Sequence, residues 1–286
     1  RLPSWIKFLI SKASEFERIQ KLIKGSNIHT ICEEGRCPNR AECYASGTAT
    51  FLLGGSICSR SCAFCQVNKG RPMDINLQES IKVAQAVQIL NLKYVVLTSV
   101  ARDDLRDHGV IFFTSTIDEI RKTNPKIKIE VLTPDLWGGG KSFEEKSILQ
   151  KERLKKILDK SPICFNHNLE TVERLQKEVR RGANYESSIN LLKLSKDIAP
   201  EIETKSGIML GLGESLEEIE KTVIDLKKAK CDQITIGQYL RPSLNHLPVK
   251  KYWEPKEFKY IENFSMKLGF KKVSCGPLIR SSYHAG

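Results

Sequence analysis

Short apolar runs alternate with amphipathic helical patterns from about residue 50 to near the end of the chain. The runs are TATFLLGG, KYVVLTSV, KIKIEVLTP, PICFNHN, TKSGIMLGLGE and DQITIGQYL. Apolar residues at helical spacing follow them and predict helices at 77–92, 112–122, 148–158, 169–179, 187–198, 216–230 and 257–268. Such alternation is typical of parallel βαβ units. We therefore predict an α/β fold, either an open doubly wound sheet or a partial barrel.

Polar or glycine-rich residues follow each predicted strand. They are Gly54-Gly55, Thr98-Ser99, Thr133-Pro134, Asn166-His167-Asn168, Gly211-Leu212-Gly213-Glu214 and Gln238-Tyr239. Parallel α/β folds place their sites at the carboxyl ends of strands. We expect these six loops to surround one site.

The first 49 residues have a different character. A helical pattern at 13–24 is followed by a polar stretch, ICEEGRCPNRAEC, in which Gly35 and Pro38 favour a loop with short helical turns at most. No internal repeat, low-complexity stretch or linker marks a second globular domain.

Composition narrows the class of protein. The 286 residues carry a net charge of +12, with basic residues scattered through helical stretches and not in one aromatic-interleaved stripe. This charge fits either simple solubility or attraction to an anionic partner, and its scatter argues against nucleic acid. No run approaches the ~18 apolar residues of a membrane span, and we expect no signal peptide. Nine cysteines, an odd number, indicate metal-bound thiolates in a reducing compartment more than disulfides.

Six of the cysteines form two triplets. Cys58, Cys62 and Cys65 have the spacing C-x3-C-x2-C directly after a predicted strand, and Cys32, Cys37 and Cys43 precede them. A closed iron–sulfur or zinc site normally takes four ligands, so each triplet is one ligand short. Three thiolates on a four-iron cluster leave one iron open to a substrate. A zinc site completed by Cys164 or a histidine is the alternative interpretation, although structural zinc usually uses C-x2-4-C pairs. We interpret Cys164, Cys231 and Cys275 as buried structural thiols.

The spacing of the second triplet, with Phe64 before its last cysteine, resembles the radical S-adenosylmethionine (SAM) superfamily, as does the strand–helix alternation. The rest of the chain resembles the lipoyl synthase family. That resemblance covers nearly the whole sequence and includes CPNRAEC, VLTSVARDDLRDHG, FNHNLETV, TIGQYLRPS and the final GPLIRSSYHAG.

The resemblance implies a partial (β/α)6 barrel of TIM type over residues 50–275. It also implies an N-terminal extension, 1–49, and a C-terminal extension, 276–286, which together hold an auxiliary four-iron cluster. The ligands of that cluster would be Cys32, Cys37, Cys43 and a serine of the Arg-Ser-Ser-Tyr motif, which we assign to Ser282 over Ser281. An oxygen ligand binds iron in a sulfur-rich site less firmly than a thiolate does.

The implied activity is insertion of two sulfur atoms at C6 and C8 of an octanoyl-lysine on a lipoyl carrier domain. A second four-iron cluster on Cys58, Cys62 and Cys65 would bind SAM and cleave it to a 5′-deoxyadenosyl radical, and the auxiliary cluster would donate the sulfur. Ferredoxin or flavodoxin would supply electrons. We expect no nucleic-acid or membrane partner, and a cytoplasmic location, or an organellar one if a targeting segment precedes Arg1.

Five residues are predicted to contact SAM: Phe64, Thr98, Ser99, Asn168 and Glu170. The last four lie at or just beyond predicted strand ends, and the resemblance implies that Asn168 and Glu170 contact the ribose. The alternative for Glu170 is a structural place in the first turn of a helix, where the helix dipole favours a carboxylate.

Two other functions stay open from the sequence. One is a different two-cluster sulfur inserter, such as a methylthiotransferase acting on tRNA, although the Arg-Ser-Ser-Tyr ending and the lack of an appended RNA-binding domain count against it. The other is a zinc-stabilised nucleic-acid-binding protein, which would explain the cysteines and the charge together.

Overall fold

A computed structural model describes residues 2–6, 25, 28–35, 37, 39–76 and 78–283. The predicted helix at 13–24 lies outside these residues. The chain divides into two compact units. Among the described residues, the N-terminal unit contains 25–60, Gln66–Cys164, and Ser282 with Tyr283, and the C-terminal unit contains 2–6, Ser61–Cys65 and Phe165–Ser281. The predicted boundaries after residues 49 and 275 stay predictions.

The N-terminal unit is built on a mainly parallel sheet. Its strands are β1 (His29–Thr30), β2 (Thr48–Leu53), β3 (Ile57–Cys58), β4 (Asn68–Lys69), β5 (Tyr94–Ser99) and β6 (Lys128–Leu132). In the sheet, β1, β2, β5 and β6 lie in that order. β1 is antiparallel to β2, and β2, β5 and β6 are mutually parallel, with Leu53 opposite Ser99. β3 and β4 form a separate parallel pair.

Helices cover this sheet, which explains its apolar strands. The helices are α1 (Ile31–Glu34), α2 (Arg40–Ala45), α3 (Glu79–Ile89), α4 (Val110–Thr123) and α5 (Phe143–Leu158). A parallel strand covered on both faces is apolar along its length, and Val95, Val96 and Leu97 of β5 are fully buried. α5 begins five residues before its predicted start because the Ser142 hydroxyl caps it, accepting the Glu145 amide at 3.1 Å.

The C-terminal unit repeats the alternation. It contains most of β7 (Cys164–Asn166), then β8 (Glu203–Leu210), β9 (Gln233–Gln238) and β10 (Lys272–Gly276), in that order in the sheet. The connecting helices are α6 (Gln176–Val179), α7 (Tyr185–Ile198), α8 (Leu216–Lys228) and α9 (Pro255–Lys267). α8 begins at a capping box in which Ser215 and Glu218 satisfy each other's backbone amides. None of the helices in the described part of the chain has the length and apolarity needed to cross a membrane.

Two predictions about this unit were wrong. The segment 169–179 is not one helix, because a short 3-10 turn, Glu173–Leu175, and α6 occupy only its second half. Its first half instead runs beside β8, with Glu170 bridging Ile208. The strand β10 was missed, because KVSCG offers only a short apolar signal and relies on its pairing with β9.

Candidate functional site

The loop that carries Cys58, Cys62 and Cys65 starts at the end of β3. All three cysteines are half-buried. The pairing of β3 with β4 places Cys58 opposite Lys69, and the Cys58 carbonyl accepts a hydrogen bond from the Gly70 amide at 3.1 Å. Backbone pairing therefore fixes the start of the loop, while partial exposure leaves the thiols accessible to a ligand.

The sulfur of Cys58 accepts two backbone hydrogen bonds. The Arg60 amide lies 3.4 Å from Sγ and the Ala101 amide 3.3 Å from it. Hydrogen bonds to sulfur are among the factors that set the reduction potential of an iron–sulfur cluster.

The Arg60 side chain forms a partly buried ion-pair network next to Cys58. Its Nη2 lies 2.7 Å from Asp103 Oδ1 and its Nη1 lies 2.8 Å from Asp135 Oδ2. The Arg60 side chain is 10% exposed and that of Asp135 is fully buried. Burial raises the pKa of Asp103, but the hydrogen bonds and charge of Arg60 outweigh it and hold that pKa below its ordinary value. Both carboxyls are therefore counter-charges to one guanidinium.

The second half of the loop belongs to the C-terminal unit. The Cys65 amide donates to the Cys62 carbonyl at 3.2 Å, which closes a tight turn around half-buried Phe64. His246 Nε2 lies 3.1 Å from the Cys65 carbonyl, and His246 Nδ1 lies 2.8 Å from the Ser243 hydroxyl. A carbonyl can only accept, so Nε2 donates to the Cys65 carbonyl. His246 thus holds the last cysteine of the triplet through its backbone.

Thr98 and Ser99 end β5, where a SAM contact was predicted. The Thr98 hydroxyl donates to the Leu132 carbonyl at 2.8 Å, so its proton is already used in a hydrogen bond to the neighbouring strand. The Ser99 hydroxyl is buried and has no hydrogen-bond partner among the described residues. A buried polar atom without a partner costs free energy, so Ser99 is the better placed of the two to bind a ligand atom.

Asn168 and Glu170 follow β7 in the C-terminal unit. Asn168 Nδ2 donates to Glu170 Oε1 at 3.0 Å, while the buried Asn168 Oδ1 has no partner among the described residues. Glu170 has a positive φ of 65° and bridges β8, so its alternative placement in the first turn of a helix was wrong. Burial raises the pKa of Glu170, against the opposing charge of Arg180 and the Asn168 hydrogen bond.

Cys32, Cys37 and Cys43 all lie in the N-terminal unit. Cys32 lies on α1 and Cys43 on α2, and the Cys37 amide donates to the Cys32 carbonyl at 3.0 Å. Burial, and then the charges of Cys37 and Cys43, raise the pKa of the Cys32 thiol to about 12. Cys37 and Cys43 thus lie within electrostatic reach of Cys32, and a bound cation would favour the thiolate forms.

The Arg-Ser-Ser-Tyr segment reaches this first triplet. The Tyr283 hydroxyl lies 3.0 Å from both carboxylate oxygens of Glu42, the residue before Cys43. Burial and the Glu42 carboxylate, followed by Cys43 and Cys37, raise the pKa of Tyr283 to about 12. Ser282 is half-buried and falls in the same unit as the triplet, whereas Ser281 falls in the C-terminal unit.

A single metal ion needs ligands closer together than a four-iron cluster does. Within the described ranges, no group of three or more His, Cys, Asp and Glu side chains converges tightly enough to hold one metal ion. A four-iron cluster takes one protein ligand per iron, so its thiolates stand further apart than those around one zinc. Among the three remaining cysteines, Cys164 and Cys231 are buried, as predicted, and half-buried Cys275 donates to the Phe258 carbonyl at 3.2 Å.

Sequence reasoning missed four residues that support the two triplets. They are Arg60, Asp135, Glu42 and His246. Only Arg60 carried a visible signal, since it is a charged residue between two cysteines of one short loop. The others become meaningful only once the fold brings distant segments together.

Two protein-family models match the chain. The model of the radical SAM superfamily covers residues 52–237, and that of the N-terminal domain of lipoyl synthase covers residues 1–37. The first includes Cys58, Cys62 and Cys65, and the second includes Cys32 and Cys37.

Curated relatives match over the whole chain. A lipoyl synthase 2 of Prochlorococcus marinus subsp. pastoris is 79% identical over 286 residues, which is 100% of this chain and 96% of the relative. A lipoyl synthase 2 of another Prochlorococcus marinus strain is 64% identical over 286 residues, 100% of this chain and 93% of the relative. Among solved structures, methylornithine synthase superimposes with a TM-score of 0.54 at 12% identity, covering 93% of this chain and 79% of that one. That likeness supports the fold alone: an α/β fold consistent with the predicted partial barrel.

Proposed function

Because this chain belongs to the lipoyl synthase family of the radical SAM superfamily, we propose that it inserts sulfur at C6 and C8 of a protein-bound octanoyl chain. It is a radical SAM sulfur-inserting enzyme, and its family uses SAM and two four-iron clusters. The observation that carries the proposal is the pair of separate cysteine triplets, the first of which is met by the Tyr283 end of the chain.

Cys58, Cys62 and Cys65 would hold the SAM-binding cluster. When bound, the two clusters supply an electron that cleaves SAM and the sulfur atoms that enter the product. Cys58 takes a thiolate ligand's role in a setting with two N–H donors, and the turn at Cys65 is fixed by His246. Partial exposure of all three cysteines supports a site that a small molecule can enter.

Polar atoms near strand ends would bind SAM. Ser99 Oγ and Asn168 Oδ1 are buried atoms without partners among the described residues, and each suits a hydrogen bond to a bound ligand. Glu170 Oε1 accepts a hydrogen bond from Asn168. Its second carboxylate oxygen would accept from a ribose hydroxyl. Phe64 offers an apolar surface beside the cysteines. Thr98 fits this role least well, because its hydroxyl already donates to Leu132.

Cys32, Cys37, Cys43 and Ser282 would hold the auxiliary cluster. The electrostatic reach of Cys37 and Cys43 to Cys32 is compatible with such a group. The choice of Ser282 over Ser281 is supported by its place directly before Tyr283, whose hydroxyl contacts Glu42. An oxygen ligand at one corner suits a cluster that gives up sulfur.

The substrate would be an octanoyl-lysine on a lipoyl carrier domain. The net charge of +12 suits an acidic carrier, which electrostatic attraction would bring in faster. We further propose ferredoxin or flavodoxin as electron donor, neither nucleic acid nor membrane as partner, and the cytoplasm as the location.

Turnover of a defined peptide tests the proposal. Anaerobically purified protein should hold about eight irons per chain, four for each cluster. With octanoylated carrier peptide, dithionite and SAM, mass spectrometry should detect lipoyl peptide together with 5′-deoxyadenosine. Deoxyadenosine without sulfur on the peptide would point to another substrate, and a colourless protein holding zinc would overturn the proposal entirely.

A matched serine pair tests the ligand assignment in the same assay. Ser282→Ala should still produce deoxyadenosine but lose lipoyl peptide, whereas Ser281→Ala should retain both products. The reverse pattern would assign the ligand to Ser281.

A further inference from the structure

We infer that Arg60 is a positioning residue for the SAM-binding cluster, bracing the Cys58 loop against Asp103 and Asp135 and setting the electrostatic environment of the Cys58 sulfur. The inference rests on the proposed cluster at Cys58, Cys62 and Cys65. It concerns three residues to which the proposed reaction gives no role.

The brace joins segments that are far apart in sequence. Arg60 Nε and Nη2 face Asp103 at 2.9 Å and 2.7 Å, which is a bidentate pair, and Nη1 reaches Asp135 at 2.8 Å. A guanidinium can bridge two carboxylates in this way because its donors form a rigid planar fork. Asp103 and Asp135 follow β5 and β6 respectively, so one side chain in the cysteine loop is tied to the ends of two neighbouring strands.

A second set of bonds carries the brace to the cysteine itself. The Ser59 hydroxyl donates to Asp103 Oδ2 at 2.7 Å, and the Ser59 amide donates to the Ala101 carbonyl at 3.1 Å. The next peptide unit donates the Arg60 N–H to Cys58 Sγ, and the Ala101 N–H donates to the same sulfur. Movement of Arg60 would therefore move both donors that face the sulfur.

The charges of the brace sum to one negative unit, since one guanidinium meets two carboxylates. Arg60 and Asp135 are buried, and buried charges are screened less than exposed ones. Net charge, hydrogen bonds to sulfur and solvent exposure all set the potential of an iron–sulfur cluster. Reduction adds an electron, so a nearby negative charge makes reduction harder and its removal makes reduction easier.

Adjacent aspartates provide a matched test. Asp103→Asn and Asp104→Asn each remove one negative charge from neighbouring positions of the same loop. Asp104 pairs with Arg102, whereas Asp103 contacts Arg60 and Ser59, and the two side chains are similarly exposed, at 38% and 35%. In the holoenzyme, redox titration followed by electron paramagnetic resonance gives the potential of the cluster whose signal responds to SAM. We expect Asp103→Asn to raise that potential and Asp104→Asn to leave it unchanged; equal values, or no change in Asp103→Asn, would overturn the inference.

Arg60→Lys separates geometry from charge. Lysine keeps the positive charge but cannot bridge the two carboxylates as a planar fork. We expect SAM cleavage to slow by about 10- to 100-fold, the range found when groups behind metal ligands are replaced, with iron content retained. A wild-type rate with a full iron content would contradict the brace. If Arg60→Lys loads no iron, the aspartate pair still decides the question.

Failure of this inference differs visibly from failure of the proposed function. Wild-type protein that cleaves SAM but makes no lipoyl peptide would overturn the proposed substrate and leave the aspartate comparison intact. Wild-type protein that makes lipoyl peptide, with equal potentials in both aspartate variants, would overturn only the role of Arg60.

Discussion

The loop around Cys58 and the segment around Cys43 carry the same thiol groups but differ in what holds them. Behind Cys58, one guanidinium bonds two carboxylates, and two backbone amides face the sulfur. Beside Cys43, Tyr283 donates a hydrogen bond to Glu42, which is a tie between this segment and the Arg-Ser-Ser-Tyr motif. The first arrangement is built on charges, and the second includes a tyrosine–carboxylate hydrogen bond.

Exposure differs as well. All three cysteines of the Cys58 triplet are half-buried, whereas Cys32 and Cys43 are buried and Cys37 is half-buried. A ligand can thus approach every thiol of the Cys58 triplet, while two thiols of the first triplet are screened from water. The contrast teaches that two triplets of the same thiols can meet different requirements: access for a small molecule in one, and shielding from water in the other.

Replacing one cysteine of each triplet should give the largest effects and tests whether the two triplets act separately. Cys58→Ala should abolish deoxyadenosine formation, because a cluster held by two thiolates lacks the ligand that the brace presents. Cys32→Ala should abolish lipoyl formation and keep deoxyadenosine formation. Each variant should lose about four of eight irons. Product analysis with iron quantification checks both variants. Loss of both products in Cys32→Ala, with its iron reduced only by half, would show that the triplets do not act separately.

Tyr283→Phe should sharpen the comparison, because it removes the hydrogen bond to Glu42 and leaves the three cysteines in place. A hydrogen bond to a charged group contributes about 1.5–3 kcal/mol, so its loss should lower lipoyl yield by about tenfold or more while SAM cleavage continues. Tyr260→Phe is the control, because Tyr260 makes the same kind of bond, to Glu220 at 2.7 Å on an exposed surface. Similar lipoyl yields from Tyr283→Phe and Tyr260→Phe would remove any special role for the tie.

The smallest expected effect is a pH dependence of the free energy of unfolding, which arises from His108 near Arg60 and Asp103. Burial and the charge of Arg153 lower the pKa of His108, against the opposing pull of Asp103, and Arg60 and Asp135 act more weakly on it. The unfolded chain therefore takes up a proton near pH 6.5 before the folded protein does, so the free energy of unfolding falls as pH drops below about 6.5.

His108→Asn should flatten that dependence, because asparagine does not titrate. Asparagine tolerates the positive φ of 54° at this position. Anaerobic denaturant titrations at several pH values between about 5.5 and 7.5 measure the effect. An unchanged slope in the variant would assign the dependence to other groups.

Most of the strand and helix order could be predicted from the sequence because each element has its own periodic signal. The run YVVLTS is apolar on both faces, and helix α8 has both an apolar stripe and a capping serine. Residues 169–179 misled the prediction because helical spacing there competes with a backbone pairing between Glu170 and Ile208. Such pairing depends on a partner 38 positions away and leaves no local trace.

The candidate site divides in the same way. Both cysteine triplets could be identified from the sequence, because each lies within one short segment. The roles of Glu42 and Asp135 could not be predicted, because Glu42 contacts a tyrosine 241 positions away and Asp135 contacts an arginine 75 positions away. Ordinary acidic residues acquire a function only through contacts that the fold creates.

The long reach of Arg60 also has a consequence for the order of folding. Its partners lie 43 and 75 positions further along the chain, and loops of that length close late because their entropy cost precedes any reward from contact. We therefore expect the cysteine loop to take its final shape only after the strands preceding both aspartates have joined the sheet. Iron and sulfide would then enter a loop whose shape the surrounding sheet has already set.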